Sequence, residues 1–217
     1  MACAHPFTLA SEPVCVWFWG HSFINRLEKL CFDKYETHGN MSLVPESHLI
    51  FFKSRPGGRA DQLKGDMKII KQVDADMVII DIGSNDIDNC VISPDVLAKQ
   101  VFADAKEMLE KYPQVKVVVI LEVLFRMPHS QFPLKNKNFV ADAHRYNNMM
   151  KILVNDQPNR EKAPIRFWHH RGLVKDWSSY LEDGVHLNVE GMLKYHKSLR
   201  RAVLKFSPLV RSERESV

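Results

Sequence analysis

Val117-Val118-Val119-Ile120-Leu121 is an unbroken β-branched and aliphatic run, the pattern of a strand covered on both faces in a parallel sheet. Upstream, Val96, Leu97, Val101, Ala105, Met108 and Leu109 recur at helical spacing. Ser93-Pro94 adds an N-cap and an N1 proline, so the pattern predicts a helix over Pro94 to Tyr112. The same alternation of short strand-like runs and longer helical ones runs along the whole chain, the signature of an α/β domain with a parallel sheet. Strands are expected at Val14 to Trp19, Leu49 to Lys53, Met77 to Ile82, Val115 to Leu121 and Ile165 to Phe167. Further helices are expected at Phe23 to Tyr35, Ala60 to Gln72, Phe139 to Asp156 and Asn188 to Phe206.

The 217 residues fit one domain with room for a full core. We expect an N-terminal extension over 1–13, one domain over 14–206 and a flexible basic tail over 207–217. A composition of 45% hydrophobic and 26% charged residues is that of an ordinary soluble protein. No apolar run is long enough to span a bilayer, so no membrane role is expected. Met1 to Glu12 has neither a basic n-region nor a long apolar stretch, which argues against a secretory signal. Cys3, Cys15, Cys31 and Cys90 form no C-x-x-C pair, and free thiols in a reducing, intracellular and cytoplasmic setting are the simplest reading.

The formal charge of +4 is concentrated. From Asn188 onward Lys194, Lys197, Arg200, Arg201, Lys205, Arg211 and Arg214 oppose only Glu190, Glu213 and Glu215. That face could meet nucleic acid or an acidic partner, but basic residues in a last helix also complement its dipole. No aromatic or Gly-rich nucleic-acid motif accompanies them.

Three distant stretches carry the chemistry: Gly20-His21-Ser22, Gly83-Ser84-Asn85-Asp86 and Asp183-Gly184-Val185-His186. Each lies just after a predicted strand or just before a predicted helix. In a parallel sheet such positions gather along the carboxyl edge, where ligands bind. Pro56-Gly57-Gly58-Arg59 follows the second strand and joins them. Ser22 alone reads as a helix N-cap, and Asn85-Asp86 alone as a turn. Together they supply a serine nucleophile, N–H donors from Ser22 and Gly58, an Asn85 amide for an oxyanion, and a His186 base oriented by Asp183. Asp86 is expected to brace its loop. His169-His170 lacks companions at metal-ligand spacing, so no metal and no cofactor are expected. The irregular stretch Glu122 to Asn138 is a candidate lid or substrate wall.

These blocks, in this order from Val14 to Phe206, resemble the SGNH or GDSL-type hydrolases, and Asp183-Gly184-Val185-His186-Leu187-Asn188 is the most specific piece. The esterase domains of some animal retrotransposons are similar in size and motif wording. The resemblance implies a flavodoxin-like three-layer α/β/α sandwich with five parallel strands in the order 2-1-3-4-5. It implies a Ser22, Asp183, His186 triad, an oxyanion hole of Ser22, Gly58 and Asn85, and metal-free action on small acyl esters. One position departs: the family has an aspartate brace where this chain has His21. The expected function is therefore a metal-independent serine esterase with a small, short-chain acyl-ester substrate. The alternative is a degenerate esterase fold that binds nucleic acid or an acidic protein through its basic last helix.

Overall fold

In the computed structural model, which describes residues 12–173 and 176–215, the apolar runs become five strands. They are β1 (Val14–Gly20), β2 (His48–Ser54), β3 (Met77–Asp81), β4 (Val117–Leu121) and β5 (Ile165–Trp168). All neighbours pair in parallel, in the order β2-β1-β3-β4-β5. The order reverses at β1, which pairs with β2 on one side and β3 on the other. A crevice opens at the carboxyl ends of strands around such a switch point.

Five helices are long enough or placed well enough to matter for the site: α1 (Ser22–Asp33), α2 (Ser84–Asn89), α3 (Pro94–Lys111), α4 (Phe139–Asn155) and α5 (Val189–Glu215). Because side chains alternate along a strand, each buried strand feeds two cores. Val16, Phe18, Met77, Ile79, Val117 and Val119 pack with Ile24 and Leu27 of α1 and with Tyr195, Leu199 and Val203 of α5. Trp17, Trp19, Val78, Ile80, Val118 and Ile120 pack with Leu97, Val101 and Ala105 of α3 and with Ala143, Tyr146 and Met150 of α4. The result is a three-layer α/β/α sandwich, as the sequence leads one to expect.

Three segments differ from expectation. The helix expected over Ala60 to Gln72 is broken into short helical pieces from Ala60 to Val73. Its Asp66 turns inward, accepting from the Trp19 indole at 3.0 Å and from Arg55 at 2.9 Å, so this segment follows the sheet rather than its own axis. Helix α2 was unforeseen, because six mostly polar residues carry no apolar period.

The third is the tail. Helix α5 continues through Pro208 to Glu215, so residues 207–215 are not the flexible segment expected. An interior proline costs roughly 3 kcal/mol, and tertiary contacts offset it. Val210 is fully buried, and Arg214 grips the Asp76 carboxylate at 2.6 and 3.1 Å. Most of the expected extension, residues 1–11, lies outside the described residues, as do 216–217. Among the described residues, no helix is long and apolar enough to cross a membrane, and Cys15, Cys31 and Cys90 are free thiols.

Candidate active site

Gly20 ends β1 where the chain passes so close to β3 that a Cβ would sit 2.7 Å from the Asp81 carbonyl oxygen. The next residues turn directly into α1, and Ser22 is its first residue. The first N–H groups of a helix have no intrahelical acceptor. His21 caps one of them, its Nδ1 accepting the Phe23 N–H at 3.4 Å, while among the described residues nothing bonds the Ser22 N–H. Ser22 thus offers a hydroxyl and a free N–H at the positive end of a twelve-residue helix.

His21 is 1% exposed. With Nδ1 acting as acceptor, the ring proton is assigned to Nε2, which lies 2.9 Å from Ser84 Oγ and 3.3 Å from Asp81 Oδ1. Tyr195 donates its hydroxyl to the other Asp81 oxygen at 2.5 Å. Burial pushes the Asp81 carboxyl upward, but His21 beside it and the bond from the Tyr195 hydroxyl outweigh it, and its pKa falls below the usual carboxylate value. The brace is therefore a buried histidine and carboxylate pair, and β3 supplies the carboxylate.

Asn85 lies in the first turn of α2. Its Nδ2 donates to the Gly58 carbonyl at 2.8 Å, and its Oδ1 accepts from Arg126 Nη2 at 2.9 Å. Both ends of the amide are fixed, and one Nδ2 proton remains for another acceptor. The Gly58 N–H is differently placed: it donates to Arg55 O at 2.7 Å and closes a turn with Pro56 and Gly57 at its centre. In this conformation Gly58 orients Asn85 through its carbonyl, and its own N–H is occupied. A Cβ at Gly58 would come within 2.7 Å of that same Arg55 oxygen. Asp86 accepts the Ala60 N–H at 3.2 Å with both oxygens, and burial raises its pKa to about 6 against that bond. It ties α2 to the Gly58 turn.

Asp183 and His186 meet through a 2.7 Å bond from His186 Nδ1 to Asp183 Oδ2. The other carboxylate oxygen accepts the N–H groups of Val185 at 3.0 Å and His186 at 2.7 Å. Burial alone would raise the Asp183 pKa; the backbone N–H groups and the imidazole bring it below the usual value. Gly184 makes this loop possible, with φ +78° and space for no Cβ, since Met127 O would lie 2.4 Å away. The Met127 N–H donates to Gly184 O at 2.8 Å.

A closed circuit of contacts joins these pieces. His21 reaches Ser84, Arg126 reaches both Ser84 (2.7 Å) and Asn85, Met127 reaches Gly184, and Glu182 reaches back to Arg26 of α1 at 3.2 Å. All the expected site residues stand on this circuit or beside it. Among the described residues, however, no hydrogen bond links Ser22 to His186. The Phe132 ring packs edge-on against His186, with centroids 5.4 Å apart, so the Glu122 to Asn138 stretch stands directly against His186.

Arg126 was not anticipated. It is 4% exposed, and burial lowers its pKa to about 10. Asp81 and Tyr195 were also missed, although a carboxylate inside the apolar run Met77 to Ile82 is a legible anomaly. His170 is fully buried, with Nδ1 2.9 Å from Ser198 Oγ, and burial drives its pKa to about 4. It is a packing residue behind Tyr195, whose ring lies 5.1 Å away.

The sequence pattern of GDSL-like lipases and acylhydrolases matches residues 45–199. No curated protein sequence matches the chain. Among solved structures, the chain is similar to a GDSL-like lipase from Bacteroides thetaiotaomicron (TM-score 0.66, 19% identity, covering 90% of this chain and 92% of that one). It is also similar to the acetyl xylan esterase AlAXEase (0.63, 19%, 88% and 100%) and to an acetylxylan esterase from Geobacillus stearothermophilus (0.59, 16%, 88% and 94%). At these identities the likeness is one of fold.

Proposed function

Because the chain belongs to the GDSL-like lipase and acylhydrolase family, it is a carboxylic ester hydrolase, and we propose that Ser22 is its nucleophile. The observation that carries this reading is the 2.7 Å bond between His186 Nδ1 and an Asp183 carboxylate already held by two backbone N–H groups. That bond fixes the ring so that Nε2 is the basic nitrogen.

Ser22 Oγ attacks the acyl carbon while His186 Nε2 takes its proton. The carbonyl oxygen becomes an oxyanion, received by the Ser22 N–H and the remaining Asn85 Nδ2 proton. The intermediate collapses, His186 returns the proton to the departing alkoxide, and an alcohol leaves. Water, deprotonated by the same imidazole, then attacks the acyl-enzyme and releases the acid and Ser22. No step needs a metal. Gly58 acts by aiming Asn85, unless substrate opens its turn and frees the N–H as a third donor. Catalytic hydrogen bonds commonly tighten only with substrate bound, and the Ser22 to His186 bond is expected to form then. The Phe132 ring against His186 narrows the approach, which supports short acyl groups.

Fluorescent fluorophosphonate labelling tests the assignment, beside Ser22→Ala and His186→Ala variants. Labelling of the native protein at Ser22 that is lost in both variants is the expected result. A folded protein that takes no label, or that is labelled equally well without Ser22, would remove the assignment.

A further inference from the structure

Since α5 runs to Glu215, Lys197, Arg201 and Lys205 stand in its middle, far from the last turn where the helix dipole acts. The dipole therefore does not account for them. They follow one another at four-residue spacing, and all three are exposed. Like charges at that spacing repel and weaken a helix. Among the described residues none of the three forms an ion pair with a carboxylate.

Arg171, from the turn after β5, joins Arg201 and Lys205 around a cleft of about 360 Å³ that Trp168, His169 and Ser198 complete. Glu122, the carboxylate paired with the cleft residue His169, is committed there: its Oε2 lies 2.6 Å from His169 Nδ1 and accepts the His170 N–H at 2.9 Å. Three cations thus share one cleft with no carboxylate on its wall. The indole of Trp168 is already engaged, donating to Ser198 at 3.0 Å and lying under the Lys205 ammonium at 5.8 Å. Phe206 also packs edge-on against it, with centroids 5.9 Å apart, so the indole is engaged within the protein and the three cations are what the cleft offers a ligand.

We propose that this cleft and the α5 stripe bind the phosphodiester backbone of a single-stranded nucleic acid, without reading its sequence. The stripe from Lys197 to Lys205 extends about 12 Å at about 1.5 Å per helical residue, which suits a linear array of phosphates better than one isolated anion. At about 360 Å³ the cleft has the size of a pocket for one small-molecule-sized unit, which suits a segment of one strand rather than a whole duplex. None of these residues belongs to the ester-cleaving circuit, so the site stands or falls independently of it.

Fluorescence anisotropy of a labelled single-stranded oligothymidine, titrated with the whole protein over a salt series, tests the proposal. Each phosphate neutralised on a single strand contributes a log–log salt slope of about −0.7, so three to four cations give roughly −2 to −3. Arg201→Ala/Lys205→Ala is expected to make the slope shallower by about 1.4 and to weaken binding at least tenfold at low salt, as two lost phosphate contacts require. An oligonucleotide of mixed sequence is expected to bind equally well. Retained hydrolysis of p-nitrophenyl acetate by the double variant would report that its fold is intact. No binding at low salt, unchanged binding by the double variant, or a preference for duplex over single strand would overturn the proposal.

Discussion

Arg126 donates to the Asn85 amide oxygen at 2.9 Å, placing a buried cation behind the amide whose Nδ2 we assign to the oxyanion. Drawing electron density toward Oδ1 makes the remaining Nδ2–H a stronger donor, and the low local dielectric enhances the effect. Arg126→Ala is expected to lower kcat on p-nitrophenyl acetate by about 10- to 100-fold, less than loss of an oxyanion donor itself, with little change in KM. Arg126→Lys keeps a charge without the planar fork and recovers part of the loss. A KM effect at constant kcat would instead make Arg126 a ground-state binding group.

Asp183→Asn retains an acceptor for the Val185 and His186 N–H groups but cannot accept the imidazole Nδ1–H in the same way. Melting temperature should change little, while kcat falls by roughly 10³- to 10⁴-fold, as wrong-tautomer variants of such triads do. Steady-state kinetics beside a thermal melt checks this. A loss below tenfold would mean that the backbone, rather than the carboxylate, orients His186.

Asp86 gives a pH signature. Burial raises its folded pKa to about 6, above the unfolded value of about 3.9. The stabilisation it brings is full below the unfolded value and is lost as pH rises through 6, on the order of 2–3 kcal/mol. Asp86→Asn lacks this dependence. Its stability relative to the native protein should therefore rise between pH 4 and pH 7 by about that amount, read from urea unfolding at each pH. A constant difference across the range would show that Asp86 is not held protonated by its surroundings.

Ending the chain after Ser207 removes the fully buried Val210 and the Arg214 grip on Asp76. Burial of a valine is worth about 1.5–3 kcal/mol, and the ion pair with its carbonyl contacts adds to it. A loss of roughly 2–4 kcal/mol in denaturant unfolding is expected. An unchanged midpoint would mean that the last turns are dispensable.

The sheet was legible because burial on both faces leaves unbroken apolar runs, and Val117 to Leu121 shows this best. Ser22, Asn85, Asp183 and His186 could be picked out as candidates because their residue types fall just after a strand or just before a helix, in chain order. Arg126 was not, since its partners Ser84 and Asn85 are some forty residues away and its loop has no period to place it. The last turns of α5 look like a charged tail in sequence, because what docks them is Val210 in a core and Arg214 on Asp76, contacts that only the folded chain creates. Gly58 shows the reverse limit: its residue type suited a donor N–H, but only the turn reveals that Arg55 has taken it.

The bond from Met127 to Gly184 fastens the outer wall of the site to the loop that bears His186. Gly184 has no space to slide, since its neighbour's carbonyl fills the position a Cβ would occupy. Wall and loop are therefore one mechanical unit: a side chain added at Gly184 would press on Met127, and any strain at Met127 is passed straight to the stretch that carries His186.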